Sequence, residues 1–305
     1  MSVKDYLKKR KQKKELQKER LKNMSFTEKT LSFFKTLIGA VLVVMVINGL
    51  LVASFVVPTG SMEKEVMTGD FLFVNKFIYG PTTPQVVPFF NIELPFFQFP
   101  GIKDPEKTDV IVFIYPGKRD LVEPMEFQYY LKRCMATAGD TIQIIDEVVY
   151  VNGVKQPIPR NVNFEPRISP DRSASFPVGS NWTHSNYGPL AIPKEGDKIA
   201  ISRENIEVWR IFIMREGHKV TFDSKSVFID DKAVDSYTVE RNYCFGMGDN
   251  RRNSEDSRDW GFIPYENVTG TPIVVYWSWD TNLPLSQFGE KLSTIKFNRI
   301  GNFIE

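Results

Sequence analysis

Ser61 and Lys132 are of residue types around which covalent chemistry could be built. A serine hydroxyl is a weak nucleophile until a base removes its proton. Ser61 follows Gly60, a small residue that lets another backbone come close. Taken alone, Thr59-Gly60-Ser61 has the composition of a turn. A free lysine stays protonated near pH 7 and serves as a base only where burial lowers its pKa. Lys132 lies in Tyr129-Tyr130-Leu131-Lys132, a strand-like run in which one amine stands among bulky neighbours. On such a run it is either desolvated or snorkels to water. Acyl transfer is the chemistry that a serine hydroxyl activated by a neutral lysine would perform. The competing chemistries are poorly supplied. The chain has two histidines, His184 and His218, neither in a motif, and no His-Glu-x-x-His pattern. Its two cysteines, Cys134 and Cys244, lack the spacing of a zinc site. A histidine-based triad and a metal-dependent hydrolase are both disfavoured.

The elements that must position these residues begin with an asymmetric charge distribution. Of 305 residues, 42% are hydrophobic and 25% charged, enough for a packed core in one large or two smaller domains. The net charge of +2 conceals 12 Lys/Arg against 4 Asp/Glu in residues 1–36. A basic tail on an acidic body does not suit a nucleic-acid protein. It suits a segment held near anionic lipid. Residues 4–22 read as a charged helix or a solvated tail. Leu37 to Val57 then runs 21 residues without a charge, about 32 Å as a helix and long enough to cross a hydrocarbon core. Lys22, Lys29 and Lys35 on its N-terminal side place residue 1 in the cytoplasm and the chain after Pro58 outside. The run is long for the apolar region of a cleavable signal peptide. It also lacks the polar face of a helix lying on a core.

The rest of the chain is expected to be mostly β. Residues 71–76, 110–114, 129–133, 148–151 and 273–277 are short β-branched or aromatic runs. Asn152-Gly153 signals a tight hairpin, and 227–234 a second. Glu204–Arg215 could form a helix. A Pro- and Phe-rich loop over residues 81–104 either packs on the core or touches a bilayer surface. The expected order is a basic tail (1–36), a transmembrane helix (37–57), a β core in two parts (58–140 and 244–305) and an inserted β-rich lobe (141–243).

Five short words, in order, resemble the boxes of type I signal peptidases, membrane-bound Ser/Lys proteases. They are Pro58-Thr59-Gly60-Ser61-Met62, Thr108-Asp109-Val110, Tyr130-Leu131-Lys132-Arg133, Ala138-Gly139-Asp140, and the run from Gly248-Asp249-Asn250-Arg251 to Ser254, Asp256 and Arg258. The resemblance implies an antiparallel β-sheet catalytic domain with an inserted second β-rich lobe, behind one N-terminal transmembrane helix. It implies Ser61 as nucleophile and Lys132 as general base. It makes the Ser61 N–H and the Thr59 hydroxyl the oxyanion site, Ser254 the hydroxyl that orients the lysine, and Asp256 and Arg258 a supporting ion pair. Phe55, Val57, Met62, Val66, Tyr130 and Leu131 become candidate walls of the substrate pocket. The implied substrates are secreted precursors cut after small residues of the Ala-x-Ala type, at the outer face of a bacterial inner membrane. No metal or organic cofactor and no nucleic acid is implied. The chain departs from the pattern at Glu63-Lys64-Glu65-Val66, where Pro-Thr-Leu is usual, and at Ala136 and Ala138. Two other readings remain: a self-cleaving Ser/Lys repressor, which an anchor does not suit, and an inactive membrane-anchored precursor-binding domain. Cys134 and Cys244 either pack as small hydrophobes or form a bridge.

Overall fold

In the computed structural model, residues 8, 11, 12, 15, 24–83, 86–87, 92–93, 95, 97–165 and 171–305 are described. The charged helix expected over 4–22 and the Pro88-Phe89-Phe90 part of the Pro/Phe loop fall largely outside them.

Helix α1 (Phe26–Leu50) starts where its cap dictates. The Ser25 hydroxyl accepts from the Glu28 N–H at 3.3 Å, and the Glu28 carboxylate accepts from the Ser25 N–H at 2.8 Å. This reciprocal pair satisfies two donors that a helix start leaves open. Leu42, Val43 and Ile47 are exposed, and α1 is long and apolar enough to cross a membrane. The expected span of 37–57 needs correction at both ends. Residues 26–36 belong to the helix, and residues 52–56 form a strand instead. The cause is that an apolar edge strand follows an apolar helix directly. Hydropathy does not separate them, whereas the β-branched Val52 and Val56 favour the extended form.

Seven strands build the large antiparallel sheet. They are β1 (Val52–Val56), β2 (Asp70–Asn75), β3 (Val110–Ile114), β4 (Tyr129–Ala136), β5 (Tyr243–Met247), β6 (Ile263–Pro264) and β7 (Val268–Ser278), in the order β1-β2-β7-β3-β4-β5-β6. The register sets Phe55 opposite Leu72, Ile111 opposite Lys132 and Cys134 opposite Gly246. Alternate residues of a strand face opposite sides, and both sides of β3 are covered. Val110 and Val112 pack with Val57, Met62, Leu72 and Val275, while Ile111 and Phe113 pack with Cys134, Cys244 and Trp260. That is why β3 reads as continuously apolar. The sheet curls, so that Phe55 on β1 meets Tyr129 on β4 edge to face, with ring centroids 4.9 Å apart.

Between β4 and β5 the described residues form three small antiparallel sheets and helix α2 (Ile206–Arg215). The two expected hairpins are present. Asn152 and Gly153 take φ of 52° and 75°, and Asp230 and Asp231 take 50° and 63°, as tight two-residue turns between twisted strands demand. Ile142, Ile144, Ile206 and Ile213 of this segment share one core with Ala136 and Phe245 of the large sheet and with Phe262, just before β6. The alternative of a Cys134–Cys244 bridge is not realised: both thiols are free and buried. The Cys244 thiol and burial push the Cys134 thiol well up.

Candidate active site

Lys132 Nζ donates a hydrogen bond to Ser61 Oγ at 2.7 Å. Ser61 lies in the turn that follows β1, and Lys132 on β4 is only 3% exposed. Its amine stands 5.7 Å from the Tyr130 ring and 5.9 Å from the Trp260 ring. Burial pushes its pKa down to about 8. Asp256 pulls it up and Arg258 pushes it down, both as smaller influences. Removing water from around an ammonium disfavours the charged form, which is what a lysine base requires.

The neighbouring side chain on β4 points the other way. Arg133 binds Asp249 through two nitrogens, at 2.6 and 2.9 Å, and both residues are buried. Asp249 opens the loop after β5, which clamps the serine turn. The Asn250 N–H donates to Ser61 O at 3.0 Å, and its side-chain amide donates to Gly60 O at 2.9 Å. Two glycines make that approach close. A Cβ on Gly248 would fall 2.5 Å from Ser61 O and 2.2 Å from Ser254 Oγ, and one on Gly246 would fall 3.1 Å from Lys132 Cβ. Gly248→Ala is therefore expected to lower kcat/KM about a hundredfold, the scale of a 1 Å misplacement of reacting groups. A detergent assay on a precursor peptide that returned wild-type kcat/KM would contradict the close-packed geometry.

Below the lysine, Asp256 and Arg258 form a buried ion pair, with nitrogen–oxygen distances of 2.7 and 2.8 Å. Asp256 also caps the short helix α3 (Ser257–Trp260), which carries Trp260 to the lysine. Burial raises the Asp256 pKa, but the Arg258 guanidinium overrides it and holds the carboxyl well below the usual carboxylate range.

The family model described as signal peptidase, peptidase S26, matches residues 30–277. The chain belongs to the peptidase S26 family. A signal peptidase I of Helicobacter pylori is 26% identical over 266 residues, covering 84% of this chain and 85% of its own length. One from Pseudomonas aeruginosa is 29% identical over 272 residues, covering 83% and 74%. A solved signal peptidase I from Enterococcus faecalis is 21% identical, with a TM-score of 0.28, covering 56% of this chain and 98% of its own. Membership supports signal-peptide removal by a peptidase, and the apolar α1 fits membrane attachment.

In this S26 peptidase a cleft of about 490 Å³ opens beside Ser61 and Lys132. Five of the expected wall residues, Phe55, Val57, Met62, Tyr130 and Leu131, line it. Val66 is corrected: it is fully buried behind the cleft, in the core with Met62 and Leu72. Thr59 stands exposed on the rim. Among the described residues, neither its hydroxyl nor the Ser61 N–H has a hydrogen-bond partner. Ser254 is also corrected. It is buried against Gly248, but its hydroxyl donates to Glu255 O at 3.4 Å and not to the lysine amine. The hydroxyl turns to its own chain, and Ser61 Oγ takes the bond from Lys132.

Sequence reasoning missed the Asn250 clamp, since an amide in a polar loop carries no signal of which backbone it will meet. It also missed the role of the departing segment after Met62. The Glu63 carboxylate accepts from the Asn250 amide at 3.2 Å, and Glu65 from Asn161 at 2.7 Å and from the Glu305 N–H at 2.9 Å. The unusual acids thus brace the serine turn.

Proposed function

We propose that this chain removes N-terminal signal peptides from secreted precursors, cutting after small residues of the Ala-x-Ala type with a Ser61/Lys132 dyad. The observation that carries the reading is the 2.7 Å hydrogen bond between a buried lysine and a serine facing an apolar cleft. Neutral Lys132 accepts the Ser61 proton as Oγ attacks the scissile carbonyl. The Ser61 N–H and the Thr59 hydroxyl stabilise the oxyanion. The Lys132 ammonium then protonates the departing amine, leaving an ester on Ser61. Lys132 next takes a proton from water, which attacks the ester, and returns that proton to Ser61 Oγ as the signal peptide is freed. No metal or organic cofactor enters these steps.

The precursor would lie extended as a strand beside the edge strand β1, held by main-chain hydrogen bonds. Shallow apolar walls would select its small side chains. With the basic residues before α1 in the cytoplasm, the cleft faces the outer side of a bacterial inner membrane. Anchoring there gives the tethered precursor a high effective concentration. The intervening segment, residues 141–243, is read as an inserted lobe that buttresses β4 and β5.

Two measurements on the full chain in detergent test this. Mass spectrometry of an Ala-x-Ala precursor peptide should give one cut after the second alanine, and a Phe-x-Phe counterpart should stay intact. The kcat/KM should rise about tenfold per pH unit and level off above about 8, because the free base is the neutral amine. A rate that falls as pH rises from 6 to 9 would remove Lys132 from the role of base.

A further inference from the structure

The cleft beside Ser61 carries one charged group that the dyad does not use. Among its lining residues the two charge-bearing side-chain types are Lys132 and Glu255. Lys132 is buried and bonded to Ser61. Glu255 is exposed and, among the described residues, its carboxylate has no hydrogen bond and no ion pair. The other acids of this region are engaged. Asp249 is held by Arg133, Asp256 by Arg258, and Glu63 by the Asn250 amide. Phe55, Val57, Leu72, Val112 and Leu131 line the same cleft, and its other charge-bearing lining residue, Lys132, is buried while Glu255 is exposed. A single anion against low-dielectric walls sets the sign of the field in the space where a peptide would lie.

We infer that Glu255 is a specificity-determining residue: it favours precursors with a Lys or Arg side chain beside the scissile bond and disfavours those with Asp or Glu there. The inference rests on the peptidase reading above and adds to it the charge of the preferred substrate. Two unit charges about 6 Å apart in a water-like medium change an equilibrium about threefold. Exchanging a cation for an anion on the substrate therefore changes it about tenfold. The effect is electrostatic and accessible to water, so it weakens with salt. Glu255 also faces the dyad closely enough to favour the Lys132 ammonium.

The test uses the full chain in neutral detergent and Ala-x-Ala precursor peptides. These peptides carry Lys, Gln or Glu at each of the two positions before and after the cut, outside the small residues themselves where these are required. At low ionic strength, one position should show Lys over Glu by about tenfold in kcat/KM, mainly through KM. The ratio should collapse toward one in Glu255→Gln, invert in Glu255→Lys, and shrink in 0.5 M salt as the Debye length falls to about 4 Å. The acid limb of the pH profile should move to lower pH in Glu255→Gln, a change that a merely structural role would not produce. Equal Lys/Glu ratios in wild type and Glu255→Gln overturn the inference and leave the peptidase reading standing. Failure of the wild type to cut any of the peptides overturns that reading, and the inference with it.

Discussion

Ser61→Ala and Lys132→Met are each expected to reduce turnover of an Ala-x-Ala peptide by about a thousandfold or more, the range of a lost nucleophile or general base. The two differ in stability. In the folded chain Lys132 releases its proton at about 8, against an ordinary value of 10.5. Below pH 8 the fold therefore holds a buried ammonium, which costs on the order of 3 kcal/mol. Between 8 and 10.5 the unfolded chain binds more protons than the folded one, so stability rises with pH. Above 10.5 the amine is neutral in both states and the penalty is gone. Lys132→Met keeps the length of the side chain and removes the charge. It should stabilise the protein by about 3 kcal/mol at pH 6 and by little above pH 10.5. Ser61→Ala should show no such pH dependence. Denaturant unfolding in detergent at the two pH values measures this. A methionine variant less stable than wild type at pH 6 would place the amine in water, outside the role assigned to it.

The second large effect concerns the ion pair beneath the site. Arg258→Met strands the Asp256 carboxylate, which is wholly buried and caps α3. Breaking a buried pair by removing one partner is expected to destabilise the fold by about 3–5 kcal/mol. Arg258 also donates to His184 O at 3.1 Å and to Arg251 O at 2.9 Å, so two loop carbonyls lose a partner as well. The double variant Asp256→Asn/Arg258→Met should cost less than the sum of the single changes, since the stranded charge is gone. Arg258 also repels the Lys132 ammonium, so surviving activity should need a higher pH than in wild type. Because the Asp256 carboxyl is held low in the fold, the contribution of the pair is present above its ordinary pKa of 3.8 and is lost as pH falls below it. Strictly additive double-variant energetics would mean that the two side chains do not act as a pair.

The parts legible in the sequence were those fixed by local chemistry. The hairpin at Asn152-Gly153 follows from a turn that needs positive φ, and β3 follows from an unbroken run of β-branched and aromatic residues. Ser61 and Lys132 were legible as a pair only through the ordered boxes, because no spacing rule links residues that meet across a curled sheet. What was not legible depends on tertiary contacts. Hydropathy cannot tell the end of α1 from the start of β1. Val66 and Met62 are both apolar and lie in the same turn, yet Met62 lines the cleft and Val66 does not, a difference that composition does not carry. The direction of the Ser254 hydroxyl depends on a single rotatable bond, and the Asn250 clamp joins positions far apart in the chain.

That clamp imposes an order on biosynthesis. The ribosome delivers Ser61, the proposed nucleophile, early, Lys132, its proposed base, 71 residues later, and the amide that braces the turn 190 residues after Gly60. Domains assemble as the chain emerges, so a truncated translation product has the hydroxyl without its brace. Until residue 250 has been synthesised, the turn that holds the proposed nucleophile lacks the contacts that brace it in the finished fold.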